Sequence, residues 1–180
     1  MASGTESSRI NQLLHENSVF AQTWPTPPTM VQMRAAAEGA LLVLTCMDPR
    51  VVPEQFLPNA QFAVCRNAGG RYSPDVVRTV ATVRKLMADK PGARTTVLVV
   101  HHTDCGMTHL TNKEIQEDVA AKFPRSAETA KGIDFGCFTG EDLVKSIKED
   151  VQALKAEEIL AGVEILGLAL DTVTGLLREV

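Results

Sequence analysis

The chain is poor in the features that mark a membrane, secreted or nucleic-acid-binding protein. Its longest apolar runs, residues 95–100 and 159–170, are too short or too interrupted to span a bilayer, which takes about 20 apolar residues. Met1 to Ser8 contain no apolar core for a secretory signal, and Arg9 is the only Lys or Arg before Arg34, a poor composition for a transit peptide. The four cysteines follow no framework spacing and include no C-x-x-C, which argues against a disulfide scaffold and against a dithiol redox protein built on Cys46 and Cys105. A net charge of −4 with no basic stripe leaves nothing to displace counterions from phosphates, so neither nucleic acid nor membrane is expected as a partner. Ordinary apolar and charged fractions exclude disorder. The expectation is a cytoplasmic enzyme with free thiols and one hydrophobic core.

What is present reads as alternating helices and strands. Residues 8–20 form a sparse amphipathic helix through Ile10, Leu13, Leu14 and Phe20, followed by the extended break Pro25-Thr26-Pro27-Pro28 and a helix over 30–39 ending at Gly39. Strands are expected at 41–45, 61–65, 95–101 and 163–169. Ser73-Pro74-Asp75 opens a helix carrying Val76, Val80 and Val83, while Thr111–Glu114 and Thr139–Asp142 read as capping boxes. Residues 123–138 read as a long connection of the kind that borders a site, and Asp171 to Gly175 as a closing turn. Continuous apolar strands separated by helices give an α/β fold: a central, mainly parallel four-stranded sheet flanked by helices, with an N-terminal helical arm and Pro-rich strap over 1–35 and one catalytic domain over 36–180. Ligands of such sheets bind beyond the carboxyl ends of the strands.

Two clusters fall at those ends. Cys46-Met47-Asp48-Pro49-Arg50 follows the first strand, and His102-Thr103-Asp104-Cys105-Gly106 follows the third. Two thiolates and an imidazole hold Zn²⁺ with three protein ligands and leave one vertex for water, the pattern of a catalytic site. Two thiolates cancel the formal charge of the ion, so the water is less acidified than in an all-histidine site. Asp48, held by Arg50, accepts the proton of a zinc-bound hydroxide and orients its lone pair. The same Asp48 is placed to act as a fourth ligand that closes the site.

Each residue also has a plainer reading. Two cysteines on apolar strands serve equally as buried core thiols, and Asp48 with Arg50 as a surface ion pair or turn. His101 is spaced four rather than three from Cys105, and alternation turns it to the other face, which makes it structural or a partner to the ligand shell. Cys65 reads as a core thiol. Cys137 is unassigned, and as a fourth ligand it would close the site. His109 is a candidate proton shuttle by proximity alone. The turn Asn67-Ala68-Gly69-Gly70 lacks the spacing of a nucleotide cradle.

Cys46-x-Asp48-x-Arg50, Arg66-Asn67-Ala68-Gly69 and His102-x-x-Cys105-Gly106, in this order and spacing, resemble the β-class carbonic anhydrases over residues 40 to 110. Asp171-x-x-Thr174-Gly175 is similar to that family's closing turn, although Leu170 stands where an aromatic residue is common; the short length and the phrase from His101 to Met107 resemble its compact microbial branch. The resemblance implies Zn²⁺ on Cys46, His102 and Cys105, an Asp48–Arg50 catalytic dyad, and a homodimer, in some members doubled to a tetramer, whose N-terminal helices embrace the partner. The function expected is reversible hydration of CO₂ to bicarbonate and a proton by zinc-bound hydroxide, with backbone N–H groups near Gly69, Gly70 and Gly106 seating the anion. A relative acting on CS₂ or COS, and a protein whose zinc is purely structural, remain alternatives.

Overall fold

The most continuous apolar runs, β1 (Ala40–Cys46) and β3 (Thr95–His102), lie side by side at the centre of the sheet. The computed structural model describes residues 3–88 and 90–180 and divides the chain into two units, Met1–Ala36 and Ala37–Val180. In the second unit the strand order is β2-β1-β3-β4-β5, where β2 is Ala63–Asn67, β4 Glu164–Leu170 and β5 Leu177–Glu179. β1 pairs in parallel with β2 and with β3, and β3 with β4; β5 pairs antiparallel to β4. The sheet is thus mainly parallel, as expected, with one strand more than the four read from the sequence. β5 is three residues long and carries a single inward residue, Leu177, too short to show a period.

Alternation explains why the central strands look apolar throughout. Leu42, Leu44, Val97 and Val99 pack on one face beneath α4 (Pro74–Leu86) and α7 (Leu143–Ala156), with Val76, Val80 and Leu154. Val43, Leu98 and Val100 face the other way, against Val51, Phe56 and Leu170. Both faces are covered, so both parities must be apolar. At Gly167 on β4 a Cβ would stand 2.5 Å from Ile147 Cγ2, so only glycine lets α7 lie this close to the sheet.

Several boundaries move from their sequence positions for identifiable reasons. The helix expected to reach Gly39 stops at Ala36 (α2, Met30–Ala36). Gly39 instead lies against Arg94, where a Cβ would meet the Arg94 carbonyl oxygen at 2.6 Å, and the next residue, Ala40, donates its N–H to that same oxygen. β2 begins at Ala63 and runs to Asn67, two residues later than read, because its register with β1 pairs Cys46 with Asn67. Thr111 and Glu114 form a complete capping box for α5 (Asn112–Lys122). The second box is partial: Thr139 donates to Asp142 Oδ2 at 2.6 Å, but a 3₁₀ turn over 140–142 intervenes before α7. The long connection contains a short helix, α6 (Ala127–Lys131).

The first unit consists of α1 (Ser3–Ala21) and α2. Ile10, Leu13, Leu14 and Phe20 of α1 are all exposed, and Phe20 stacks at a tilt on Trp24 with centroids 5.3 Å apart. Among the described residues no helix is long and apolar enough to cross a membrane.

Candidate metal centre

The chain leaves β1 toward β2 on one side and returns to β3 on the other, so a crevice opens between the carboxyl ends of β1 and β3. Cys46 is the last residue of β1 and His102 the last of β3. After His102 the chain reverses through Asp104, whose φ of 53° lies in the left-handed region that Asp tolerates better than most residues. That reversal returns Cys105 to the crevice, where its Sγ stands 3.8 Å from Cys46 Sγ. Zinc–sulfur bonds of ~2.3 Å at a tetrahedral angle put two sulfurs about 3.8 Å apart. One ligand atom from each of Cys46, His102 and Cys105 lies within 4.8 Å of the other two, and all three residues are buried.

His102 tests whether a cation suits this site. Its Nδ1 is 2.9 Å from the Thr103 carbonyl oxygen, an acceptor, so the ring proton sits on Nδ1 and the Nε2 lone pair faces the sulfurs. Nε2 is buried and has no hydrogen-bond partner, a costly arrangement for an imidazole unless a metal takes the lone pair. The two thiols divide their charge unevenly. The Cys105 hydrogen bond lowers Cys46 to about 4 against the opposing effect of burial, with help from the Asp48 amide. Cys105 is pushed well above the usual thiol range by the same neighbour and by burial. The metal-free pair therefore holds one proton at neutral pH, and zinc binding should expel it. Calorimetric titration in buffers of different ionisation enthalpy should read about one proton released per zinc near pH 7; release near zero would mean that the sulfurs do not both ligate.

Asp48 lies outside this three-residue group. Arg50 grips it as a fork, Nε donating to Oδ1 at 3.0 Å and Nη2 to Oδ2 at 2.7 Å, while the Arg50 backbone N–H adds a bond to Oδ1 at 2.9 Å. The guanidinium, the amide and the nearby His102 hold the carboxyl at about 2. Arg50 also reaches the other loop, donating to Asp104 Oδ2 at 2.7 Å and to the Asp104 carbonyl at 2.8 Å. Sequence reasoning missed Asp104 as the third member of this ion cluster, and quoted Arg66 in a motif without giving it a role. From β2, the Arg66 guanidinium donates to the carbonyls of Cys46 at 3.0 Å, Asp48 at 2.7 Å, and Val51, clamping the loop that carries Asp48. Its place at the head of the Arg66-Asn67-Ala68-Gly69 motif was the available sign.

The remaining candidates are placed as follows. Gly69 is buried with φ +75°, and a Cβ there would stand 3.1 Å from Arg71 Cγ. Gly70 has φ +71°, and a Cβ there would stand 2.8 Å from the Thr45 carbonyl carbon and 2.9 Å from the Cys46 nitrogen. Gly106 opens the 3₁₀ turn after Cys105, with open space where a Cβ would stand. Met107, Ala68, Cys137 and Phe138 pack around the two sulfurs, but Cys137 is not in the ligand group. His109 is exposed on the rim, 3.7 Å from Asp104 Oδ1.

Known proteins share this fold. No family model matches the chain. It is 35% identical over 135 residues to the carbon disulfide hydrolase of Acidianus sp., covering 70% of this chain but spanning only 63% of that protein's length. It is 25% identical over 145 residues to β-carbonic anhydrase 1 of Mycobacterium tuberculosis, 78% of this chain and 81% of that protein. Among solved structures, the carbonic anhydrase of Streptococcus mutans superposes with a TM-score of 0.74 at 26% identity, over 95% of this chain and 96% of that one. A near-complete fold match and two sequence relatives thus converge on one lineage, in which zinc is the metal that the Cys46–His102–Cys105 group suits. Curated relatives and structural neighbours point together to the β-carbonic anhydrase family, with carbon disulfide hydrolase among its relatives.

Proposed function

We propose that this protein catalyses the reversible hydration of CO₂ to bicarbonate and a proton. The observation that carries the reading is the buried, partnerless His102 Nε2 facing two sulfurs at zinc spacing, with an ionised carboxylate held beside the group by a guanidinium. Cys46, His102 and Cys105 would hold the ion, which when bound supplies the Lewis acidity that makes water nucleophilic near neutral pH. Asp48 accepts a hydrogen bond from the attacking water-derived nucleophile and fixes the direction of its lone pair. Because Arg50 keeps Asp48 ionised far below neutral, the carboxylate orients and does not store the proton. The released proton leaves by the rim, where His109 stands against Asp104. Met107, Ala68 and Phe138 keep the surroundings apolar and suited to an uncharged linear substrate, and the amides at Gly69, Gly70 and Gly106 are the backbone donors that would seat the anion.

Metal analysis joined to stopped-flow CO₂ hydration from pH 6 to 9 tests this reading: one zinc per chain with turnover supports it, and a zinc-loaded protein inert even at alkaline pH defeats it. A second reading, hydrolysis of CS₂ or COS on the same residues, is favoured by the 35% identity to the Acidianus enzyme. Assaying the three gases side by side on one zinc-loaded preparation separates the two.

We also propose a homodimer through the N-terminal arm. The support is the apolar row Ile10, Leu13, Leu14 and Phe20, which a lone subunit would leave in water. Removing the arm should halve the mass read by light scattering; an unchanged mass would place the interface elsewhere.

A further inference from the structure

β3 ends in two consecutive histidines, and the mechanism uses only His102. The ring of His101 is completely buried on the opposite side of the strand. Its Nδ1 lies 2.8 Å from Ser146 Oγ on α7, and its Nε2 lies 3.2 Å from the Gly70 carbonyl oxygen and 3.0 Å from Asp150 Oδ2. Phe138 stacks on the ring with centroids 5.7 Å apart. Asp150 is held in turn by Arg71, whose Nε stands 2.9 Å from the same oxygen.

Donor and acceptor counting fixes the role of Nε2. Both its neighbours, a carbonyl and a carboxylate, only accept, so Nε2 carries a proton and donates it to Gly70. With that proton on Nε2 the Nδ1 lone pair accepts, and the Ser146 hydroxyl is its donor, an Oγ that also lies 2.9 Å from the Leu143 carbonyl oxygen. What His101 grips is a segment with little rigidity of its own: Gly69 and Gly70 are consecutive glycines with φ of +75° and +71°, and glycine loses more conformational freedom on ordering than any other residue. The far side of that turn matters because Gly70 lies directly on the strand that carries a ligand: a Cβ on it would stand 2.8 Å from the Thr45 carbonyl carbon and 2.9 Å from the Cys46 nitrogen. A continuous path therefore runs from Ser146 and Asp150 on α7, through the His101 ring and the Gly70 carbonyl, to the backbone of the ligand residue Cys46.

We propose that His101 is a positioning residue for the metal centre: by anchoring the Gly70 carbonyl it holds the Gly69–Gly70 turn against the backbone of Cys46 and so fixes where that sulfur meets the cation. Packing alone would be met by an apolar side chain, as at the neighbouring positions of β3. The proposal rests on the metal-site reading above, and its test separates the two. His101→Leu removes the donor at similar volume. His101→Gln retains an amide N–H where Nε2 stood.

Zinc affinity by chelator competition, and the thiolate-to-metal charge-transfer band of the cobalt-substituted protein, are measured for parent and variants. The Leu variant should still bind one ion, about ten- to a hundredfold more weakly, the range usual for partners of metal ligands, with a shifted band; the Gln variant should stay close to the parent. Parent-like affinity and spectrum in His101→Leu, or equal impairment in His101→Gln, would overturn the proposal while leaving the metal site standing. A parent without stoichiometric zinc and without the band overturns both. If His101→Leu does not fold, Ser146→Ala decides: a smaller shift in the same direction is expected, and parent values count against it.

Discussion

Cys105→Ser is expected to abolish zinc binding and CO₂ hydration together. Cys105 is fully buried, its sulfur stands at the distance from Cys46 that a shared tetrahedral ion sets, and the two sulfurs are the soft donors of the group. A serine hydroxyl does not ionise near neutral pH and is a far weaker, harder donor, leaving one thiolate and one imidazole in a crevice that closes around nothing. The loss should exceed the roughly 10–100-fold typical of changes behind the ligands. Metal content of the purified variant, read beside stopped-flow hydration, checks this; full zinc occupancy with parental turnover would remove Cys105 from the ligand set.

Asp48→Asn has the second largest expected effect, and a different signature. Asp48 lies outside the ligand group, so zinc content should be unchanged. The amide puts an NH₂ group against the Arg50 donors that now bind Oδ1 at 3.0 Å and Oδ2 at 2.7 Å, and it weakens the acceptor that orients the nucleophile. By analogy with the removal of a preorganised hydrogen-bonding group, turnover should fall about 10²–10³-fold. The deficit should not vary between pH 6 and 9, because Arg50 holds the Asp48 carboxyl at about 2 and it is ionised throughout. The sign of the stability effect follows from the same depression. The ion pair contributes fully above the ordinary carboxylate value of about 3.9, and the contribution is lost as pH falls through about 2. Acid unfolding of the parent should therefore include a component missing from Asp48→Asn. A variant that hydrates CO₂ at the parental rate would rule out the dyad.

Much of this site could be read from the sequence because its members stand at strand ends, where continuous apolar runs stop and polar residues begin. That is why Cys46 and His102 were legible across some fifty residues of intervening chain. The sense in which His101 turns away was legible too, since alternation along a strand is strict. What the sequence concealed were contacts that depend on register and backbone conformation. The left-handed turn at Asp104 leaves no compositional mark beyond the tolerance of Asp for it. The reach of Arg66 to three carbonyls depends on β2 lying beside β1 in one register. The Ser146–His101 contact joins residues 45 apart and exists only once α7 settles on the sheet. β5 escaped notice because three residues cannot display a period.

Arg50 touches Asp48 on one loop and both the carboxylate and the carbonyl of Asp104 on the other. One cationic rivet thus fastens the segment that carries Asp48 to the segment that carries Cys105. Neither segment can lengthen, shorten or tilt by itself without tearing out the fastening. Evolutionary drift in this crevice must therefore move both halves in concert, and substitutions at Asp48 and Asp104 should prove strongly non-additive.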